Sequence, residues 1–170
     1  MNTIEEKNAL KLDKKLDKEI VSILKQSKIE NKINVPINEL TYSLMFTNKF
    51  LIIILIREGI PYSLFNLIKN NTPFNEDDWS QILEISTRTL HRYKLNSSKF
   101  KSIQSEKILE IAEVTNIGLE VFGNMEKLKL WLDTPNYALG RLKPIELLKD
   151  SYGKDMVIGE LTRINHGIFV

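Results

Sequence analysis

The sequence predicts a mostly α-helical chain in which a helix-turn-helix domain is followed by a small helical domain. Three observations carry this reading. Through most of the 170 residues, apolar side chains recur at spacings of three and four, the period of a helix face. Ser80, Glu84 and Leu90 fall at the small-residue, turn and apolar-anchor spacing of a helix-turn-helix. From Trp131 to Gly153 the chain reads as two short helices around a tight loop, punctuated by Pro135, Gly140 and Pro144. The expected organisation is an N-terminal helical extension over 1–58, the helix-turn-helix domain over 59–122 and the C-terminal domain over 123–170.

Composition narrows the function. An apolar content of 42% supports packed cores, and 27% charged residues is ordinary for a soluble chain. The net charge of +2 does not by itself imply a nucleic-acid partner, so any basic surface has to arise from local clustering. With no Cys there is neither a disulfide framework nor a thiolate metal site. His91 and His166 lack a second ligand at metal-binding spacing, and the glycines are scattered singly rather than gathered into a phosphate loop. No Gly-x-Ser-x-Gly elbow occurs. The expectation is a protein with no catalytic site, no metal and no cofactor. The longest apolar run, Phe50 to Ile56, is seven residues between Lys49 and Arg57, far short of the roughly 20 a membrane helix needs. The N-terminus has no signal-peptide apolar core, so a cytoplasmic protein without membrane attachment is expected.

In chain order, Glu5 to Glu30 reads as one charged amphipathic helix, with Leu12, Leu16, Ile20, Ile23 and Leu24 on a stripe. It serves either as a surface helix laid on the body or as a partner or dimer helix. A DNA-gripping arm is the weakest option, because acids match its lysines. Asn31 to Ile37 alternates like a short strand or extended linker. Thr41 to Glu58 reads as a mostly buried helix, with a buried strand at Phe50–Ile56 as the competitor because Ile dominates there. Gly59 and Pro61 then punctuate, and Leu64, Phe65, Leu67 and Ile68 supply the next apolar face.

Asn75 is an N-cap, with Glu76, Asp77 and Asp78 placed favourably against the helix dipole. Ser86 caps a second helix, Thr87 to Leu95. Trp79, Leu83, Ile85, Leu90 and Tyr93 lock the pair, and Glu84 stands at the turn where Gly is frequent. The outward face of the second helix then carries Thr87, Arg88, His91, Arg92 and Lys94, with Lys99 and Lys101 just beyond. Arg pairs two donors with guanine, and Lys neutralises phosphate, so this face suits DNA. A solvated helix face is the alternative. Ser102 to Phe122 is the longest clean helix, and Gly118 within it signals close packing or a kink.

Met125, Leu128, Trp131 and Leu132 form the next stripe, with Trp131 expected in the core. Asp133 to Asn136 stops that helix, and Gly140 suits a positive φ. Pro144 opens a helix carrying Ile145, Leu147 and Leu148, for which Gly153 is the expected C′ residue. Asp155 to Ile164 forms the last helix, closed by Gly167. The ending Ile168-Phe169-Val170 is either a loose tail or a partner contact.

Taken together, Trp131-Leu132, Pro135-Asn136-x-x-Leu139-Gly140, Pro144-x-x-Leu147-Leu148, Gly153, Val157, Leu161-x-Arg163-Ile164 and Gly167 resemble the C-terminal toxin-binding domain of Xre/MbcA/ParS-type antitoxins. Ile85-Ser86-x-Arg88-Thr89-Leu90-x-Arg92-Tyr93 resembles that family's helix-turn-helix. The likeness runs from about Gly59 to Val170. It departs at Arg141, where a second Gly is common, at Lys143, where Thr is usual, and at Leu128, where a small residue is usual. The resemblance implies a homodimeric antitoxin. Its partner would be a RES-type toxin, similar to ADP-ribosyltransferases and consuming NAD, whose pocket the antitoxin covers, and it would repress its own operator DNA. It also implies that Arg163, Asn165, His166, Ile168, Phe169 and Val170 touch the toxin. The alternative is a stand-alone helix-turn-helix transcriptional regulator whose C-terminal domain only dimerises.

Overall fold

The protein is described by a computed structural model over residues 2–26, 36 and 39–168, with side chains from residue 11 onward. The regular elements among the described residues are all helices. These residues form no strand, only an isolated antiparallel bridge between Pro61 and Lys99. The expected linker at Asn31–Ile37 lies outside the described residues apart from Pro36. Two compact units emerge, Met1–Asn71 with His91–Glu106, and Thr72–Leu90 with Lys107–Val170.

In the first unit, helix α1 (Asn2–Gln26) lays Leu16, Ile20, Ile23 and Leu24, all buried, against its neighbours α2 (Tyr42–Met45) and α4 (Tyr62–Asn70). The Tyr42 N–H donates to Asp17 at 2.7 Å. The single helix expected over 41–58 is in fact two, α2 and α3 (Lys49–Glu58). The break follows from side chains that compete with the helical ladder. Thr47 donates its hydroxyl to the Leu44 carbonyl at 2.8 Å, and Asn48 Oδ1 accepts the Phe50 N–H at 3.1 Å as the α3 cap. No strand forms at Phe50–Ile56. Only Leu51 and Leu55 face the core fully, whereas Phe50 and Ile53 are about half exposed, so the expected burial of this run holds for one face only.

A closed clip holds the turn before α4. The Phe100 N–H donates to the Ile60 carbonyl at 2.8 Å, and the Tyr62 N–H donates to the Ser98 carbonyl at 3.1 Å. Fully buried Ser105 accepts from the Ile60 N–H at 2.9 Å and donates to the Phe100 carbonyl at 3.2 Å. Gly59 is needed here: its φ is +79°, and a Cβ would lie 2.6 Å from the Phe100 carbonyl oxygen.

The second unit contains α5 (Glu76–Ile82), the long helix α7 (Ser102–Phe122) from Lys107 onward, α8 (Met125–Leu132), α9 (Pro144–Leu147) and α10 (Ser151–Asn165). Helix α6 (Thr87–Leu95) begins in it. Its core gathers Trp79, Ile111, Leu128, Leu132, Val157 and Leu161. Trp131, expected in that core, is only half-buried and leans on Phe122 with ring centroids 5.7 Å apart. Leu128 and Leu132 take the interior instead. Gly153 is a second correction. It does not end the Pro144 helix, which stops at Leu148, but sits in the first turn of α10. There a Cβ would run into the Leu147 carbonyl, so glycine is required for close approach rather than for a turn.

Candidate functional site

The helix-turn-helix geometry is built locally. Asn75 Oδ1 accepts the Asp77 and Asp78 N–H groups at 2.8 and 2.9 Å, while Asp78 accepts the Asn75 N–H at 2.9 Å, a reciprocal cap. Helix α5 ends with Glu84 at φ +52°. The Ile85 N–H reaches the Ser80 carbonyl at 3.1 Å and the Glu84 N–H reaches Gln81 at 3.2 Å. That is a Schellman stop with glutamate in the left-handed position usually held by glycine. Ser86 Oγ then accepts the Thr89 N–H at 3.1 Å to start α6. Leu90 anchors α6 inward, and Thr87, Arg88, His91, Arg92 and Lys94 are all exposed on it. Arg92 and Lys94 sit in the last turn, where the helix dipole favours cations.

The Pro135–Arg141 motif closes on Asn136. Its side chain accepts the Ala138 N–H at 2.8 Å, and its carbonyl accepts the Arg141 N–H at 2.9 Å. Its own N–H donates to the Leu142 carbonyl at 3.0 Å. Gly140 and Arg141 are both left-handed, at φ +69° and +62°, so the loop keeps its shape with arginine at the second position. The Arg141 guanidinium lies over the Tyr137 ring, 5.6 Å from its centroid. The Lys143 side chain provides no cap. The Glu146 carboxylate instead accepts the Lys143 N–H at 3.2 Å, and Pro144 occupies the first helical position.

At the end of α10, Gly167 at φ +71° completes another Schellman stop, in which the Ile168 N–H donates to the Arg163 carbonyl at 2.9 Å. The tail is therefore turned by a defined motif at its base. Asn165, His166 and Ile168 are exposed, whereas Arg163 is half-buried and pairs with Glu160 at 3.6 Å along its own helix. Phe169 and Val170 lie outside the described residues. Sequence reasoning missed several exposed large side chains in this unit: Tyr152 at 89%, Tyr137 at 70%, Leu130 at 69% and Met156 at 50% exposure. The signal was present in α10, since Tyr152 and Met156 lie i,i+4 and off the Val157–Leu161 stripe. Among the described residues no His, Asp and Glu group is arranged to hold a metal, and no helix is long and apolar enough to cross a membrane.

Fold and surfaces together define a helix-turn-helix protein joined to a second helical binding domain. Residues 52–113 match the antitoxin Xre-like helix-turn-helix domain, and residues 118–167 match the antitoxin Xre/MbcA/ParS C-terminal toxin-binding domain. The chain belongs to the Xre/MbcA/ParS antitoxins, and it is an antitoxin of the type II toxin–antitoxin class. It is similar to Antitoxin Xre of Photorhabdus laumondii subsp. laumondii, 28% identical over 115 residues, covering 67% of this chain and 78% of that one. It is also similar to Antitoxin Xre of Yersinia enterocolitica, 30% identical over 86 residues, which cover 50% of this chain and 58% of that one. A chain of the crystal structure of the M. tuberculosis MbcT-MbcA toxin-antitoxin complex shares the fold. Its TM-score is 0.54 at 20% identity, covering 64% of this chain and 96% of that one. Residues 1–51 lie outside both family matches.

Proposed function

We propose that this chain neutralises a RES-type, NAD-consuming toxin by covering its active site, acting by binding alone, as a cytoplasmic homodimer that also represses its own operator. The observation that carries the toxin half is the matched toxin-binding stretch, in which large apolar side chains such as Tyr152 and Met156 face outward while Val157 and Leu161 hold the core. Exposed aromatic and Met side chains of this kind mark protein-binding surfaces. The tail from Arg163 to Val170 is the plug in this reading, with Asn165, His166 and Ile168 already exposed at its base. The relative that shares the fold comes from a toxin–antitoxin complex, which supports a protein partner of the same kind.

The operator half rests on Thr87, Arg88, His91, Arg92 and Lys94, all exposed on a helix whose inner face is anchored by Leu90. In functional terms the helix-turn-helix region is 59–122 and the toxin-binding region 123–170, with 1–58 as an extension. The test is co-purification with the product of the adjacent reading frame, followed by NAD consumption with and without this chain. Suppression of NAD loss at equimolar ratio supports the proposal. A partner that binds but consumes no NAD defeats the RES assignment alone, and the absence of any binding partner leaves a stand-alone regulator.

A further inference from the structure

The last turn of α6 borders an open cleft. Arg92 and Tyr93 from the helix, Asn96 and Ser98 from the loop, and Lys99 and Lys101 beyond it line a space of about 300 Å³. All three charged lining residues are cations, and the other three are neutral hydrogen-bonding groups. The walls are held from behind. Tyr93 stacks on buried Phe100 with centroids 4.4 Å apart and planes 8° from parallel. The Ser98 N–H donates to the Tyr93 carbonyl at 3.1 Å, and Ser97 takes the bend at φ +47°. Lys99 Nζ donates to the Glu58 carbonyl at 3.3 Å, leaving an ammonium with two further donors beside the cleft.

We propose that this cleft holds a phosphodiester of double-stranded DNA, and that Arg92 belongs to it rather than to the base-reading face. The inference rests on the operator reading above and divides its residues by chemistry. Backbone phosphates are contacted by Arg, Lys, Ser, Asn and Tyr groups, the types present here, and such contacts position a protein without reading sequence. An acidic protein segment would meet the same cations. The cleft, however, terminates the helix that carries Thr87, Arg88 and His91, and a helix seated in a major groove has the phosphate backbone at its ends. Base discrimination then falls to Arg88 and its neighbours, and orientation to Arg92, Lys99 and Lys101.

The experiment is fluorescence anisotropy of the full chain. The duplex from upstream of its own gene is compared with a scrambled duplex of equal length across a potassium chloride series. The variants are Arg92→Gln, Lys101→Gln, the pair together, Lys101→Arg and Arg88→Ala. The double variant is expected to weaken both duplexes by the same factor, on the order of tenfold, and to flatten the salt dependence by roughly one unit of slope per side chain. Lys101→Arg keeps the slope, and Arg88→Ala loses the preference for the upstream duplex. A double variant with unchanged slope, or one that loses only the preference, overturns the cleft assignment while the operator reading stands. Wild-type chain that binds neither duplex sinks the operator reading itself, and the cleft with it.

Discussion

Leu128 fills the volume that any side chain at Gly118 would need. A Cβ built on Gly118 runs into both Leu128 methyl groups, and Leu128 is fully buried. The two residues form one feature, a large residue on α8 made possible by a missing side chain on α7. Glycine inside a helix costs about 1 kcal/mol relative to alanine, while a buried leucine is worth about 2–5 kcal/mol over alanine. The packing term wins. Gly118→Ala should therefore destabilise by about 1–3 kcal/mol despite its better propensity. Leu128→Ala should cost less in the Gly118→Ala background than in wild type, with a coupling of at least about 0.5 kcal/mol. Urea midpoints of the four proteins test this, and a stabilised Gly118→Ala would show that the helices move apart freely.

Glu84 and Arg141 occupy left-handed backbone without being glycine, at φ +52° and +62°. An L-residue there costs roughly 1–2 kcal/mol, part of which glycine gives back as unfolded-state entropy. Glu84→Gly and Arg141→Gly should each stabilise by about 0.5–1 kcal/mol. Arg141→Gly also loses the guanidinium over Tyr137, so its gain should be the smaller. Thermal denaturation decides, and a loss at either position would mean the side chain contributes more than the strain removes.

Lys154 on α10 reaches Glu113 on α7 at 3.5 Å and Asp155 at 3.1 Å, with a side chain only 17% exposed. Burial pulls its pKa down, but the Asp155 hydrogen bond and the charges of Glu113, Asp155 and Glu110 together carry it above the ordinary 10.5. A folded-state pKa above the unfolded one means the stabilisation is complete below pH 10.5 and is lost as pH rises through the folded value. Lys154→Met should be less stable than wild type at pH 7, and the gap should narrow above pH 10.5. A gap that does not change with pH would assign the loss to packing.

Truncation after Asn165 removes the tail but leaves the α10 stripe of Val157 and Leu161 in place. The shortened chain should still bind the toxin and no longer block NAD loss. Conversely, Tyr152→Ala should weaken toxin binding with stability unchanged within about 0.5 kcal/mol, as for an exposed residue. Full inhibition by the truncated chain would move the blocking surface away from the tail.

What the sequence determined by itself was local. Helix periods, the caps at Asn75 and Ser86, the left-handed Gly140 and the Gly167 stop depend on residues within a few positions of one another, and all were legible. The family motifs were legible for the same reason, since Asn136 closes its loop through near neighbours. Tertiary structure decided which side of each stripe was covered. Phe50 and Ile53 were expected inside, yet they lie half exposed, because burial depends on which distant helix arrives and not on the side chain's own hydrophobicity. Trp131 yielded the core to Leu128 because α7 offered a glycine ten residues upstream. Gly153 reads as a helix stop in one dimension and is a contact point in three, where the Leu147 carbonyl occupies the space of its absent side chain. The cleft behind Arg92 was invisible for the same physical reason. Its wall is Tyr93 stacked on Phe100, and Phe100 is held by a hydrogen bond to the Ile60 carbonyl forty residues away in the chain.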